Sequence, residues 1–198
     1  PGVSLQSNPR ALRRFLDKCW EAFCAYSDYF DRLYHRPRKR RSVGLADDNI
    51  SQISAEMFRR FEMPYYLKLR TRHRAEEFHL HTDGPNDQHF RLLADEVKLT
   101  AMDIGGYSRL ENAVRDMKGR VVLFGGLRCW DFYAPGGMTA ATRRKAIEAI
   151  RLAAPGGGFE LAIGGETYVG VSPEGICDLV RFGKRWGGYP IQVPDDAD

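Results

Sequence analysis

Leu12, Phe15, Leu16, Cys19, Phe23, Tyr26, Phe30 and Leu33 recur at helical spacing, so one face of a long helix is apolar. Asn8-Pro9 precedes the run. Asn8 can cap the first turn, and Pro9 fits where no amide proton is needed. The pattern predicts a helix to about His35, ended by Pro37. Ser42–Ala46 is short and β-prone and stops at Asp47-Asp48-Asn49. Ser54 opens a second helix carrying Met57, Phe58 and Phe61, which Pro64 should kink or split. At 78–82 the period changes to two, predicting a strand. Residues 87–95 read as a short helix, and 97–102 as a third strand ending at Asp103-Ile-Gly-Gly106. Ser108 to Glu111 has the form of a capping box, and Leu110, Ala113, Val114 and Met117 follow on one helical face. Arg120 and the apolar run 121–124 that follows it are expected to be a strand buried on both faces that opens onto Gly125-Gly126. Thr139 caps a helix to about Ala154, buried through Ile147, Ile150 and Ala154, and Pro155 stops it. Residues 159–163 make the fifth strand, and Ser172-Pro173-Glu174 starts a last helix to about Trp186.

Five strands alternating with helices on short loops require parallel βαβ units, hence an α/β fold in a single domain. Spacing does not distinguish an open sheet from a barrel. A closed eightfold barrel takes roughly 250 residues, so 198 residues fall about three units short.

Polar residues collect where these strands end. His79, His81 and Asp83 alternate, which places all three on one face, opposite Phe78, Leu80 and Thr82. Asp47, Asp48 and Asn49 end the first strand, Asp103 the third, Arg128 follows the fourth and Glu166 the fifth. In parallel α/β proteins the carboxyl ends of strands carry the active site. Trp130, Phe132 and Tyr133 form an aromatic wall, or else pack beneath the rim. Gly125-Gly126 and Gly164-Gly165 would let a planar ligand approach the backbone. Neither glycine pair has the form of a dinucleotide-binding loop.

Composition adds little to this: 43% hydrophobic and 28% charged residues are ordinary for a globular chain. The net charge of +4 owes much to the run Arg36-Pro37-Arg38-Lys39-Arg40-Arg41. That run reads as a solvated loop between helix and strand. With no zinc-finger spacing and no aromatic RNA-binding signature, no nucleic-acid partner is expected. Four scattered cysteines without a CxxC pair suit buried thiols in a reducing, cytoplasmic setting. No apolar run approaches ~18 residues, so no membrane span is expected.

Several stretches, in order, carry a family resemblance: Leu45-Ala-Asp-Asp-Asn49, Ile53-Ser-Ala-Glu-Met-Phe58 with Met63-Pro-Tyr65, His79-Leu-His-Thr-Asp-Gly84, Val121-Val-Leu-Phe-Gly-Gly126, Ala154-Pro-Gly-Gly-Gly-Phe-Glu-Leu-Ala162 and Ser172-Pro-Glu174. Together they resemble the carboxyl-terminal part of the uroporphyrinogen decarboxylase superfamily, and within it the corrinoid-dependent methyltransferases. The resemblance implies a partial TIM-type (β/α)8 barrel of about five strand–helix units. A missing amino-terminal half, or a second chain, would complete it. It also implies transfer of a methyl group between a small methylated substrate and a corrinoid carried by a partner protein. Asp47, Asp48 and His81 would be catalytic, and Asn49, His79, Asp103, Arg128 and Trp130 would contact substrate. Methyltransferases of this superfamily bind zinc through a His-x-Cys-Gly stretch at this strand and a Cys after the last strand. Here His81-Thr-Asp83-Gly84 and Gly164-Gly165-Glu166 stand instead, which gives no thiolate-rich site: either His81, Asp83 and Glu166 are the ligands of a harder zinc site, or Asp83 accepts turn amides and His81 is a general acid. Two alternatives remain open: cofactor-free decarboxylation of a tetrapyrrole, for which the family's His in the last turn is replaced, and a non-catalytic accessory half-barrel.

Overall fold

The computed structural model describes residues 7–193. They group into two compact units, 7–43 with 53–78, and 44–52 with 79–193.

In the first unit, helix α1 (Pro9–Leu33) begins as its sequence predicts, with the Asn8 side chain accepting the Ala11 amide at 3.0 Å. The second helical stretch is split. A single turn, α2 (Ala55–Met57), is capped by Ser54 and widens into a π turn, Phe58–Glu62, before α3 (Met63–His73). The cause is Pro64 in the first turn of α3: it has no amide proton to reach back, and its ring crowds the turn before it. Asp17 on α1 accepts hydrogen bonds from the Tyr65 hydroxyl at 2.9 Å and Lys68 at 3.2 Å. Burial, reinforced by Asp17, pushes the Tyr65 hydroxyl up to about 12. The basic run is partly absorbed by its surroundings: Arg40 pairs with Asp31, Arg41 with Glu77 at 2.9 Å, and Arg36 lies over the Tyr34 ring. Phe15, Tyr26, Tyr29 and Tyr34 are each more than half exposed.

The sheet holds β1 (Ser42–Ala46), β2 (Glu77–His81), β3 (Ala101–Asp103), β4 (Val122–Arg128) and β5 (Phe159–Gly164), in the order 1-2-3-4-5. All five strands are parallel and alternate with helices, as expected for α/β. A doubly wound sheet reverses its strand order at a switch point, whereas here every strand neighbours the next in sequence, as in a barrel. The sheet is open, consistent with part of one. Its second-unit helices are α4 (Phe90–Leu92), α5 (Leu110–Met117), α6 (Ala140–Ala153) and α7 (Pro173–Trp186). The core beside β4 and β5 is built from Leu127, Phe132, Ile147, Ile150, Leu179 and Phe182.

Three local expectations change. The third strand is only Ala101–Asp103, because the preceding helix ends in a π turn, Leu93–Val97, closed by Lys98 at φ 56° and a Leu99 amide bond to the Leu93 carbonyl. Ser108 does not cap α5. Its hydroxyl accepts the Asn86 amide at 2.9 Å, and Arg109 takes the cap position without a side-chain bond. The fourth strand starts two residues late and runs through Gly125-Gly126 rather than ending there. A Cβ at Gly125 would lie 2.9 Å from Ile104, and one at Gly126 2.9 Å from Ala149. Those glycines let β4 pack closely against these side chains. Val122 is 40% exposed, so β4 is not buried on both faces.

Candidate active site

Parallel pairing sets His81 opposite Asp103, on adjacent strands. His81 Nδ1 lies 3.0 Å from Asp103 Oδ2, and Nε2 lies 3.5 Å from Asp83 Oδ1. The other Asp103 oxygen accepts the Gly105 amide at 2.9 Å. From the end of β1, Asp48 Oδ1 accepts the Asp83 amide at 2.9 Å. Asp48, His81 and Asp83 thus converge, one donor atom from each lying within 4.8 Å of the other two.

The adjacent carboxylates after β1 divide their work. Asp48 faces this cluster. Asp47 shapes the turn: its side chain accepts the Asn49 amide at 3.1 Å, and its own amide donates to the His81 carbonyl at 3.0 Å. Alternation places His79 on the face of His81. Phe78 and Leu80 are indeed buried, while His79 is exposed. His79 lines a shallow groove of about 320 Å³ with Gly44, Ala46, His81, Asp103 and Phe124.

Two glycine turns close the site. Gly105 has φ +67°, and a Cβ there would lie 2.4 Å from the Thr82 carbonyl oxygen. Gly165 has φ +80°, and its Cβ would lie 2.7 Å from Asp83 Oδ1. That oxygen is buried and makes no hydrogen bond. Burial raises the Asp83 carboxyl above its usual range. The negative charges of Asp48, Glu166 and Asp103 add to the rise, and His81 opposes it. Glu166 is exposed and acts on Asp83 through charge; the third close donor is Asp48.

Arg128 and Trp130 stand elsewhere. The Arg128 guanidinium lies 5.4 Å over the Trp130 ring, which packs at 5.2 Å on Tyr107. Arg128 lines a separate cleft of about 300 Å³ with Gly106, Arg109, Lys145 and Glu148. Of the aromatic wall, Phe132 is buried in the core and Tyr133 is 46% exposed.

Two carboxylates and one imidazole make a donor set suited to a zinc ion, whose oxygen and nitrogen bonds are about 2.0–2.2 Å long. A buried, unbonded Asp83 oxygen inside a mostly negative cluster is the environment a cation relieves. The residues present therefore fit a divalent metal.

No family model matches the chain, and no curated protein sequence matches it. Among solved structures, a methyltransferase from Methanosarcina mazei matches with a TM-score of 0.68 at 18% identity, over 94% of this chain and 52% of that one. The chain thus spans about half the length of that structure. At such identity the likeness is one of fold. No helix among the described residues is long and apolar enough to cross a membrane.

Proposed function

We propose that the chain supplies the metal-binding half of a methyltransferase that moves a methyl group from a small methylated substrate to a corrinoid on a partner protein. One observation carries the reading: the convergence of Asp48, His81 and Asp83 at the ends of β1 and β2, on a fold like that of a methyltransferase. Asp48, His81 and Asp83 would hold zinc, with Glu166 adding negative charge nearby. When bound, the metal supplies Lewis acidity at the heteroatom that gives up the methyl group. Asp103 holds the His81 ring by its Nδ1 side. Asp47 keeps Asp48 in place through the turn that it caps at Asn49. Leu45, Ala46, Ala101, Met102 and Phe124 make the adjoining groove largely apolar, which suits a small methylated molecule. The acidic cluster would repel a tetrapyrrole bearing many carboxylates, which weighs against decarboxylation. A further barrel half, in the same polypeptide or in a second chain, would close the sheet over the groove.

The test uses the full-length protein. Metal analysis should find about one zinc per chain. Methylated thiols, amines and alcohols, offered with cob(I)alamin, should yield methylcobalamin by its absorption spectrum. His81→Ala and Asp83→Ala should lower both metal content and rate, the rate by more than about 100-fold. Absence of bound metal together with absence of transfer across the panel would sink the proposal.

A further inference from the structure

We infer that Asp103 sets the tautomer of His81, holding the ring proton on Nδ1 and leaving the Nε2 lone pair on the side of Asp48 and Asp83. The consequence for metal binding rests on the function proposed above; the geometry does not. Asp103 reaches His81 because the β2–β3 register places the two opposite each other. An ionised carboxylate only accepts hydrogen bonds. The His81 nitrogen 3.0 Å from Asp103 Oδ2 must therefore carry the proton. The opposite nitrogen is 3.5 Å from Asp83 Oδ1, beyond hydrogen-bond length for a ring N–H, and that oxygen makes no hydrogen bond. A neutral imidazole has one proton, and it belongs where the bond is made. Nε2 is then the free ligand atom or proton acceptor.

Asp103 is itself held. Its Oδ1 accepts the Gly105 amide at 2.9 Å, from a turn that tolerates no side chain. This bond makes the inference sharp, because it predicts inversion in Asp103→Asn. The single amide oxygen of that variant is required by the Gly105 N–H, so its NH2 group is turned to His81. An NH2 facing Nδ1 needs a lone pair there, and the ring proton moves to Nε2. Asp103 is thus a positioning residue that acts through His81.

The experiment reads the ring directly. Full-length protein labelled with 15N-histidine is followed by NMR as the pH is raised until the ring is neutral, with His81 assigned by its loss in His81→Gln. Wild type should show the Nδ1–H form and Asp103→Asn the Nε2–H form. Titration with cobalt(II) should show affinity reduced about 10–100-fold in Asp103→Asn. An Nε2–H ring in wild type overturns the inference, as does an unchanged tautomer in Asp103→Asn. A ring that inverts in a protein binding neither zinc nor cobalt supports the inference and removes the metal reading.

Discussion

Gly165 shows how closely single residues are specified around the cluster. Its φ of +80° is one that side-chain-bearing residues rarely adopt, and a Cβ there would crowd the Asp83 carboxylate. Gly165→Ala should therefore lower stability by about 1–3 kcal/mol and displace Asp83. Urea denaturation and zinc titration would read the two effects separately. Unchanged zinc affinity would show that this turn does not shape the site. His81 and Asp83 are legible in the sequence because period-two alternation places them on one face. Asp48 was visible only as one of an adjacent pair. Which of that pair faces the cluster depends on the Asp48 bond to the Asp83 amide, 35 residues away in sequence.

At the scale of elements, α5 (Leu110–Met117) is tied to α4 (Phe90–Leu92) through the bond from Arg91 to the buried Asp116. Its carboxylate accepts from Arg115 at 2.6 and 2.9 Å and from Arg91 at 3.0 Å. The Arg115 bonds, then Arg91, bring its carboxyl down to about 2 from the ordinary 3.8, against the opposing effect of burial. A lowered folded-state value means stability that is present above pH 3.8 and lost as pH falls toward about 2. Asp116→Asn should cost about 1 kcal/mol at neutral pH, a modest figure because both guanidinium partners are largely exposed. The cost should vanish near pH 2, which melting curves across pH 2–7 would reveal. A pH-independent difference would place the effect in packing. Helix starts at Asn8, Ser54, Thr139 and Ser172 were legible because a cap acts within three residues. Ser108 misled because a distant amide, that of Asn86, claimed its hydroxyl.

Among the described residues, the parallel sheet ends in β1 on one side and β5 on the other. Unpaired strand edges are templates for association. Alone, these 198 residues should self-associate at micromolar concentration and bind a dye that reports exposed apolar surface. The same region joined to about three more strand–helix units, in cis or in trans, should elute as a defined species with little dye binding. Light scattering after size exclusion would decide. A monodisperse, dye-silent 198-residue chain would remove the need for a second half.

The sequence by itself determined what short-range physics controls. Hydrophobic period set the helices and strands, caps and prolines set their ends, and the alternation of five strands with helices set the α/β class. The consecutive strand order, the length of β3 and the passage of β4 through Gly125-Gly126 came only from the tertiary structure. So did the choice of Asp48 over Asp47 and the seating of Arg128 in a separate cleft. Each depends on which distant backbone or side chain competes for a hydrogen bond or a packing space. Such competitions have no signature in local spacing, because their partners meet only when strands far apart in the chain lie side by side.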